Sequence, residues 1–233
     1  MAVEISQFHH TPYYCEENVY MLCKKLCALG IAEPDASDLF VVFISNDKKQ
    51  IPMWQQKASS RPDGLVLWDY HVICIQKTRG NSLALVWDLD SKLPIPTPLA
   101  SYVSESIKSS FHLFPEFQRC FRIVHAPIFL KNFASDRRHM IDQDGAWLHQ
   151  PPDYEPIVAA DGTEHNLNEF MNIHSIEVVN SSELESISGI FSKKLGVVTT
   201  ENQLEDFLHL LFAAMKSLNG IATDATMSID LKE

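Results

Sequence analysis

The sequence predicts a layered α/β fold with a mainly antiparallel central sheet, on three observations. Between residues 15 and 29, Val19, Leu22, Cys23, Leu26 and Leu29 recur at three- and four-residue steps, the period of an amphipathic helix. The runs "LVLWDYHVICIQKT" and "SLALVWDLDS", separated by "RGN", lack clean alternation of apolar and polar residues, so the strands they form should be covered on both faces. Near the end, Thr200 and Gln203 have capping-box spacing before a helical stripe of Leu204, Phe207, Leu208, Leu211, Phe212, Met215 and Leu218.

Taken in order, the first helix should stop at Gly30, which tolerates the left-handed backbone that closes helices. "LFVVFIS" (39–45) is β-branched and aromatic and is followed by "NDKKQ", a strand and then a turn. "IPMWQQK" should return as a short edge strand, where Pro52 is tolerated. The two apolar runs form a hairpin. With Arg79 and Gly80 as its turn, His71 lands opposite Asp88, and opposed side chains have Cβ atoms roughly 4.5–5.5 Å apart. With Gly80 and Asn81 as the turn, Asp88 faces Ile73 and reaches His71 only diagonally, at roughly 7–8 Å. Either register keeps His71 and Asp88 on one face. Residues 101–110 suggest a short helix, 121–126 a strand, and 129–140 helix or loop. "GAWLHQPPDYEP", broken by Pro151, Pro152 and Pro156, should be an extended surface excursion. The stripe that begins at Leu204 should be core.

The 233 residues are 45% hydrophobic, enough for a core, and no Gly/Ser-rich or Pro-rich linker divides them. One domain over 1–216 is expected, with 217–233 a divergent, flexible tail. The net charge of −11 argues against nucleic acid and anionic membranes and favours a cationic ligand. There is no charged-then-apolar leader, and no apolar run approaches the ~18 residues of a membrane span. A soluble, intracellular protein is therefore expected; a monomer is expected too, though nothing in the sequence speaks to oligomeric state. The five cysteines, Cys15, Cys23, Cys27, Cys74 and Cys120, are odd in number and without CxxC spacing, so no disulfide framework is expected. Cys23 and Cys27 should be packing residues. His9 and His10 could suggest a metal beside Cys15, but an adjacent pair before a helix is more often a surface feature, and no metal or organic cofactor is expected.

Cys15 is the candidate nucleophile. At a helix start the macrodipole favours a thiolate and should lower its pKa. His71 would be its base, and Asp88 would fix the His71 tautomer. Taken alone, each has a blander reading: an inert buried thiol, a satisfied core histidine, a salt-bridge acid.

"WDYHV" (68–72) resembles the signature of the protein N-terminal glutamine amidohydrolases. "YYCEENVY", "VFISN" with "IPMWQQ", "DLDSKLPIP", "LKNFASDRRHM" and "NLNEF" resemble that family's segments in the same order. The likeness covers roughly residues 12 to 170, weakens to "LGVVTTENQLEDF" beyond Phe170, and has no counterpart after about Lys216. It implies a three-layer α/β/α architecture related to papain-like and transglutaminase-like thiol enzymes, with Cys15, His71 and Asp88 as the catalytic residues. It also implies conversion of an N-terminal Gln to Glu with release of ammonia, feeding the N-degron pathway from the cytoplasm and nucleus.

Such chemistry needs donors for the oxyanion, for which the Cys15 N–H and the Trp54 indole are candidates. It also needs an anion for the free α-ammonium, for which Glu16, Glu17, Asp69 and Asp90 are candidates, Glu17 being the one most readily explained as a solvated first-turn acid. N-terminal Asn should be rejected, because its carboxamide is one methylene nearer the ammonium. The competing readings are a thiol peptidase or acyl transferase, and a non-catalytic interaction module.

Overall fold

The computed structural model describes residues 5–78, 83–109, 111–179 and 184–227, leaving aside the side chains of 184, 185 and 217–227. Helix α1 spans Cys15–Ala28. Thr11 anchors its entry: its backbone N–H donates to Asn18 Oδ1 at 2.8 Å, and its carbonyl accepts from Asn18 Nδ2 at 2.7 Å. Its exit is a Schellman closure. Gly30 sits at φ +66°, with Gly30 N–H to Cys27 O and Ile31 N–H to Leu26 O, both 3.0 Å.

Strands β1 (Leu39–Ser45), β4 (His71–Lys77), β5 (Ala84–Trp87), β6 (Thr97–Pro98), β7 (Cys120–His125) and β8 (Val197–Thr200) form one antiparallel sheet in the order β6-β5-β4-β1-β7-β8. β2 (Ile51–Met53) and β3 (Val66–Trp68) pair with each other in a second, two-stranded sheet. The expected single strand over 65–78 is thus two strands of different sheets, changing over at Asp69 and Tyr70. β2 accordingly returns beside β3 rather than along an edge of the main sheet.

The absence of alternation has the expected cause. Leu39, Val41 and Phe43 enter a core built with α1, α3 (Ala126–Asn132) and α4 (Leu167–Met171). Phe40, Val42 and Ile44 enter a second core with α2 (Leu99–Tyr102), which continues as a π-helical turn over Val103–Ile107, and with α5 (Leu184–Ile190) and α6 (Leu204–Met227). The chain is a mixed α/β protein around a six-stranded antiparallel sheet. The α6 stripe from Leu204 to Phe212 is core, and the Thr200–Gln203 capping box is formed. Helical backbone continues past Lys216 to Met227, and residues 228–233 of the expected tail lie outside the described residues. Cys23 is buried with its Sγ 3.8 Å from that of Cys74, and Cys27 packs against the same core, as packing residues should.

The hairpin register is settled by Cys74 opposite Trp87 and Ile75 opposite Val86. This phase puts Asp88 opposite Ile73, not His71. The turn residues proposed for it, Arg79, Gly80 and Asn81, lie outside the described residues.

Candidate active site

His71 opens β4 and Asp88 directly follows β5. They are in strand phase with Ile73 and Val86 of the second core, whereas Cys15 belongs to the first. All three gather at the end of the strands, where groups from both faces can meet. The diagonal separation left by the register is spanned by the imidazole. His71 Nε2 lies 3.1 Å from Asp88 Oδ1, both side chains buried, leaving Nδ1 as the nitrogen for a proton partner. Two more groups fix the acid: Tyr102 O–H donates to Asp88 Oδ2 at 2.7 Å, and the Asp90 backbone N–H donates to Oδ1 at 3.0 Å. Trp68 stacks on the His71 ring, 5.7 Å between centroids and 14° between planes, and its indole N–H donates to Gln56 Oε1 at 3.2 Å. Neighbours on the WDYHV segment therefore have separate contacts, Trp68 packing on the imidazole and His71 pairing with Asp88.

Cys15 and His71 line one cleft of about 290 Å³, together with Asp69, Tyr70 and Asp90. Its rim includes Tyr13, Leu148 and His149, and the Tyr13 and His149 rings stack at 3.6 Å. The excursion expected on the surface is exposed over residues 141–150, yet it also forms one wall of the cleft.

The electrostatics depart from the helix-dipole expectation for Cys15. Burial, together with the charges of Glu16 and Asp90, pushes its pKa well up, against a lowering backbone hydrogen bond from Val72. These influences favour the protonated thiol over the thiolate. Burial works to lower the His71 pKa, but the Asp88 charge and hydrogen bond reverse this and leave it raised. Burial works to raise that of Asp88, and His71, Tyr102 and the Asp90 N–H outweigh it, leaving it lowered.

The candidate ammonium ligands are dispersed. Asp90 lines the cleft, buried, with Oδ1 2.8 Å from His10 Nε2. His10 is thus a partner of the site rather than a plain surface feature, while His9 sits outside beside Asp153 at 3.6 Å. Asp69 is exposed at the cleft and accepts the Tyr70 N–H at 2.9 Å. Glu16 is buried behind Cys15, outside the cleft lining, accepting from Tyr70 O–H at 2.9 Å with Cys15 Sγ 3.7 Å away. Glu17 is not solvated: it is fully buried and bidentate to Arg137, both contacts 2.8 Å. A first-turn acid can serve a tertiary partner as well as a dipole. Trp54 does not reach the cleft. It packs against Phe111, Lys108 and Arg119, so its indole is no oxyanion donor.

Sequence reasoning missed Tyr102, Tyr70 and Arg137, since their roles depend on contacts between distant segments. Tyr70 and Arg137 carried a signal, their places within WDYHV and LKNFASDRRHM, and Tyr102 carried none. His71, Asp88 and Asp90 bring possible metal-ligand atoms within 4.8 Å of one another. Their hydrogen bonds to Tyr102, to His10 and among themselves already engage these groups.

A mixed α/β chain with a cysteine and a carboxylate-bound histidine on one cleft has groups suited to hydrolysis of an amide bond, and its relatives make it a hydrolase of that class. The comparisons give the family. The profile of the N-terminal glutamine amidases matches residues 10–208. A protein N-terminal glutamine amidohydrolase of Arabidopsis thaliana is 61% identical over 207 residues, covering 88% of this chain and 94% of the relative. Its counterpart in Oryza sativa subsp. indica is 51% identical over 212 residues, 90% of each chain, and that of Bos taurus 42% identical over 161 residues, 69% of this chain and 75% of the relative. The chain belongs to the N-terminal glutamine amidase family. The match runs to residue 208, past Phe170, where the likeness read from motifs weakened.

Proposed function

We propose that this protein hydrolyses the side-chain amide of an N-terminal glutamine, giving glutamate and ammonia, with Cys15 as nucleophile, His71 as base and then acid, and Asp88 as the group that orients His71. The observation that carries the reading is the placement of Cys15 and the Asp88-bound His71 on one cleft. His71 takes the thiol proton as sulfur attacks the δ-carbon, and returns it to the departing ammonia. The resulting thioester is hydrolysed by water that gives its proton to His71. The Cys15 N–H at the start of α1 serves the oxyanion.

Discrimination against internal glutamine requires an anion for the α-ammonium. Asp90 and Asp69, the carboxylates lining the cleft, suit that role better than Glu16 and Glu17, which lie outside its lining. In this reading the helices over both cores form the outer layers of a three-layer α/β/α thiol enzyme akin to the papain-like and transglutaminase-like ones. Its product would enter the N-degron pathway in the cytoplasm and nucleus, and the enzyme would act as a monomer.

The test is mass spectrometry of peptides beginning Gln, Asn, acetyl-Gln and Gly-Gln. Only the first should show the change of amide to acid with one equivalent of ammonia. Peptide-bond cleavage or amine incorporation would instead place the site among thiol peptidases or acyl transferases.

A further inference from the structure

Glu16 is the buried titratable group that the mechanism above does not use. It adjoins the nucleophile in sequence and in space: its carboxyl lies 3.7 Å from Cys15 Sγ, its Oε2 accepts from Tyr70 O–H at 2.9 Å, and it is 1% exposed. A carboxylate so enclosed has few ways to be solvated. It can keep its charge with those two donors, or it can take a proton.

We propose that Glu16 is a proton-dependent latch on Cys15, holding the thiol idle when ionised and releasing it to His71 when protonated. The proposal rests on Cys15 being the nucleophile. When Glu16 is ionised, the thiol S–H donates to it, so the proton that must pass to His71 is engaged elsewhere. A thiolate formed in that state would also face a second anion across van der Waals distance without intervening water. When Glu16 is protonated, its O–H donates to sulfur while its oxygen still accepts from Tyr70. The thiol proton is then free to move to His71 Nδ1 and later to the leaving ammonia, and Glu16 keeps its own proton throughout. It is a positioning residue, since it contacts Cys15 and Tyr70 from behind and does not itself line the cleft where substrate enters.

The balance of charge around the carboxyl agrees. Burial pushes Glu16 up to about 7; the neighbouring Glu17 charge adds to this, while a backbone N–H and the Tyr70 and Cys15 hydrogen bonds oppose it. The groups facing the pair are acidic or neutral for the most part. Glu17 on the same helix is neutralised by Arg137, Tyr70 and His71 approach from β4 and the segment before it, Asp69 and Asp90 act on Cys15, and Tyr14 and Tyr154 feel the Glu16 charge. The imidazoles here are His71, held by Asp88, and His10, held by Asp90, so each faces an acid of its own and a thiolate beside an ionised Glu16 would leave the cluster net negative.

The experiment compares wild type with Glu16→Gln and Tyr70→Phe, reading Cys15 alkylation by iodoacetamide site by site in mass spectra from pH 5.5 up to the alkaline limit at which the fold holds, and kcat/KM on a Gln-initiated peptide from pH 5.5 to 9.5. Glu16→Gln keeps the shape and removes the charge. Its Cys15 alkylation midpoint should fall by at least about one pH unit, as expected for loss of an adjacent like charge, and the loss of kcat/KM above neutrality should disappear. Tyr70→Phe removes a hydrogen bond that stabilises the carboxylate, so its alkaline limb should move to higher pH. An unchanged alkylation midpoint in a folded Glu16→Gln protein, or rate profiles that fall in parallel at every pH, would overturn the latch. Because alkylation reports on Cys15 without substrate, failure of the latch is distinguishable from failure of the assigned reaction.

Discussion

Tyr102 donates its hydroxyl proton to Asp88 Oδ2 at 2.7 Å, occupying the carboxylate oxygen opposite the one that holds His71. The acid is buried with both oxygens engaged, which fixes its plane and hence the imidazole it orients. A helix one strand away thus sets the direction in which His71 presents Nδ1.

Tyr102→Phe should therefore lower kcat without much change in KM. Leaving a buried acceptor unsatisfied costs about 1–3 kcal/mol. A kcat reduced roughly 10-fold, with Tm lowered by a few degrees, is expected from steady-state kinetics and thermal unfolding. A wild-type kcat would mean that Asp88 is held well enough by the Asp90 N–H alone.

Asp88→Asn should cost far more, on the order of 10⁴ in kcat, because an amide presents a donor where the His71 tautomer needs an acceptor. Unfolding followed by circular dichroism should show the fold retained. Activity close to wild type would transfer the orienting role to Asp90.

Cys15→Ala should abolish ammonia release and leave secondary structure intact, since the side chain closes a cleft rather than filling the centre of the core. Turnover unchanged in this variant would remove the nucleophile from the mechanism.

The acid limb of kcat/KM should lie above 6.5, because His71 has to be neutral to accept the thiol proton and its pKa is raised by Asp88 despite burial. In stability the sign is opposite. A raised folded-state pKa contributes stability that is complete below 6.5 and is lost as pH rises through the raised value. Residual activity of Asp88→Asn should accordingly show its acid limb at lower pH, and Tm in that variant should fall less than wild type between pH 6.5 and 9. An acid limb that does not move would show that another group sets it.

Arg137→Met should destabilise the fold by about 3–5 kcal/mol, since it strands the fully buried Glu17 without its partner. Adding Glu17→Gln to that variant should recover much of the loss in urea unfolding. Additive losses instead would mean that the pair is not coupled.

The helix from Cys15, the strand 39–45 and the α6 stripe were legible in the sequence because each is written in local periodicity, and buried elements repeat at the period of their own geometry. His71 and Asp88 were legible as a pair because either hairpin register keeps them on one face. Which register holds was not. The break between β3 and β4 at Asp69–Tyr70 was also hidden, because a continuous apolar run looks the same whether one sheet or two receive it.

The sequence by itself determined the chemical inventory: a helix-start cysteine, the WDYHV histidine, the acid after Trp87 and the ordered motifs of the family. The tertiary structure decided what each carboxyl does. Glu16 turns to Cys15, Glu17 to Arg137, Asp88 to His71 and Tyr102, and Asp90 to His10, while Trp54 is carried away from the cleft. These assignments turn on which distant donor arrives within about 3 Å, and the free energy of a buried charge depends on that arrival far more than on the identity of its neighbours along the chain.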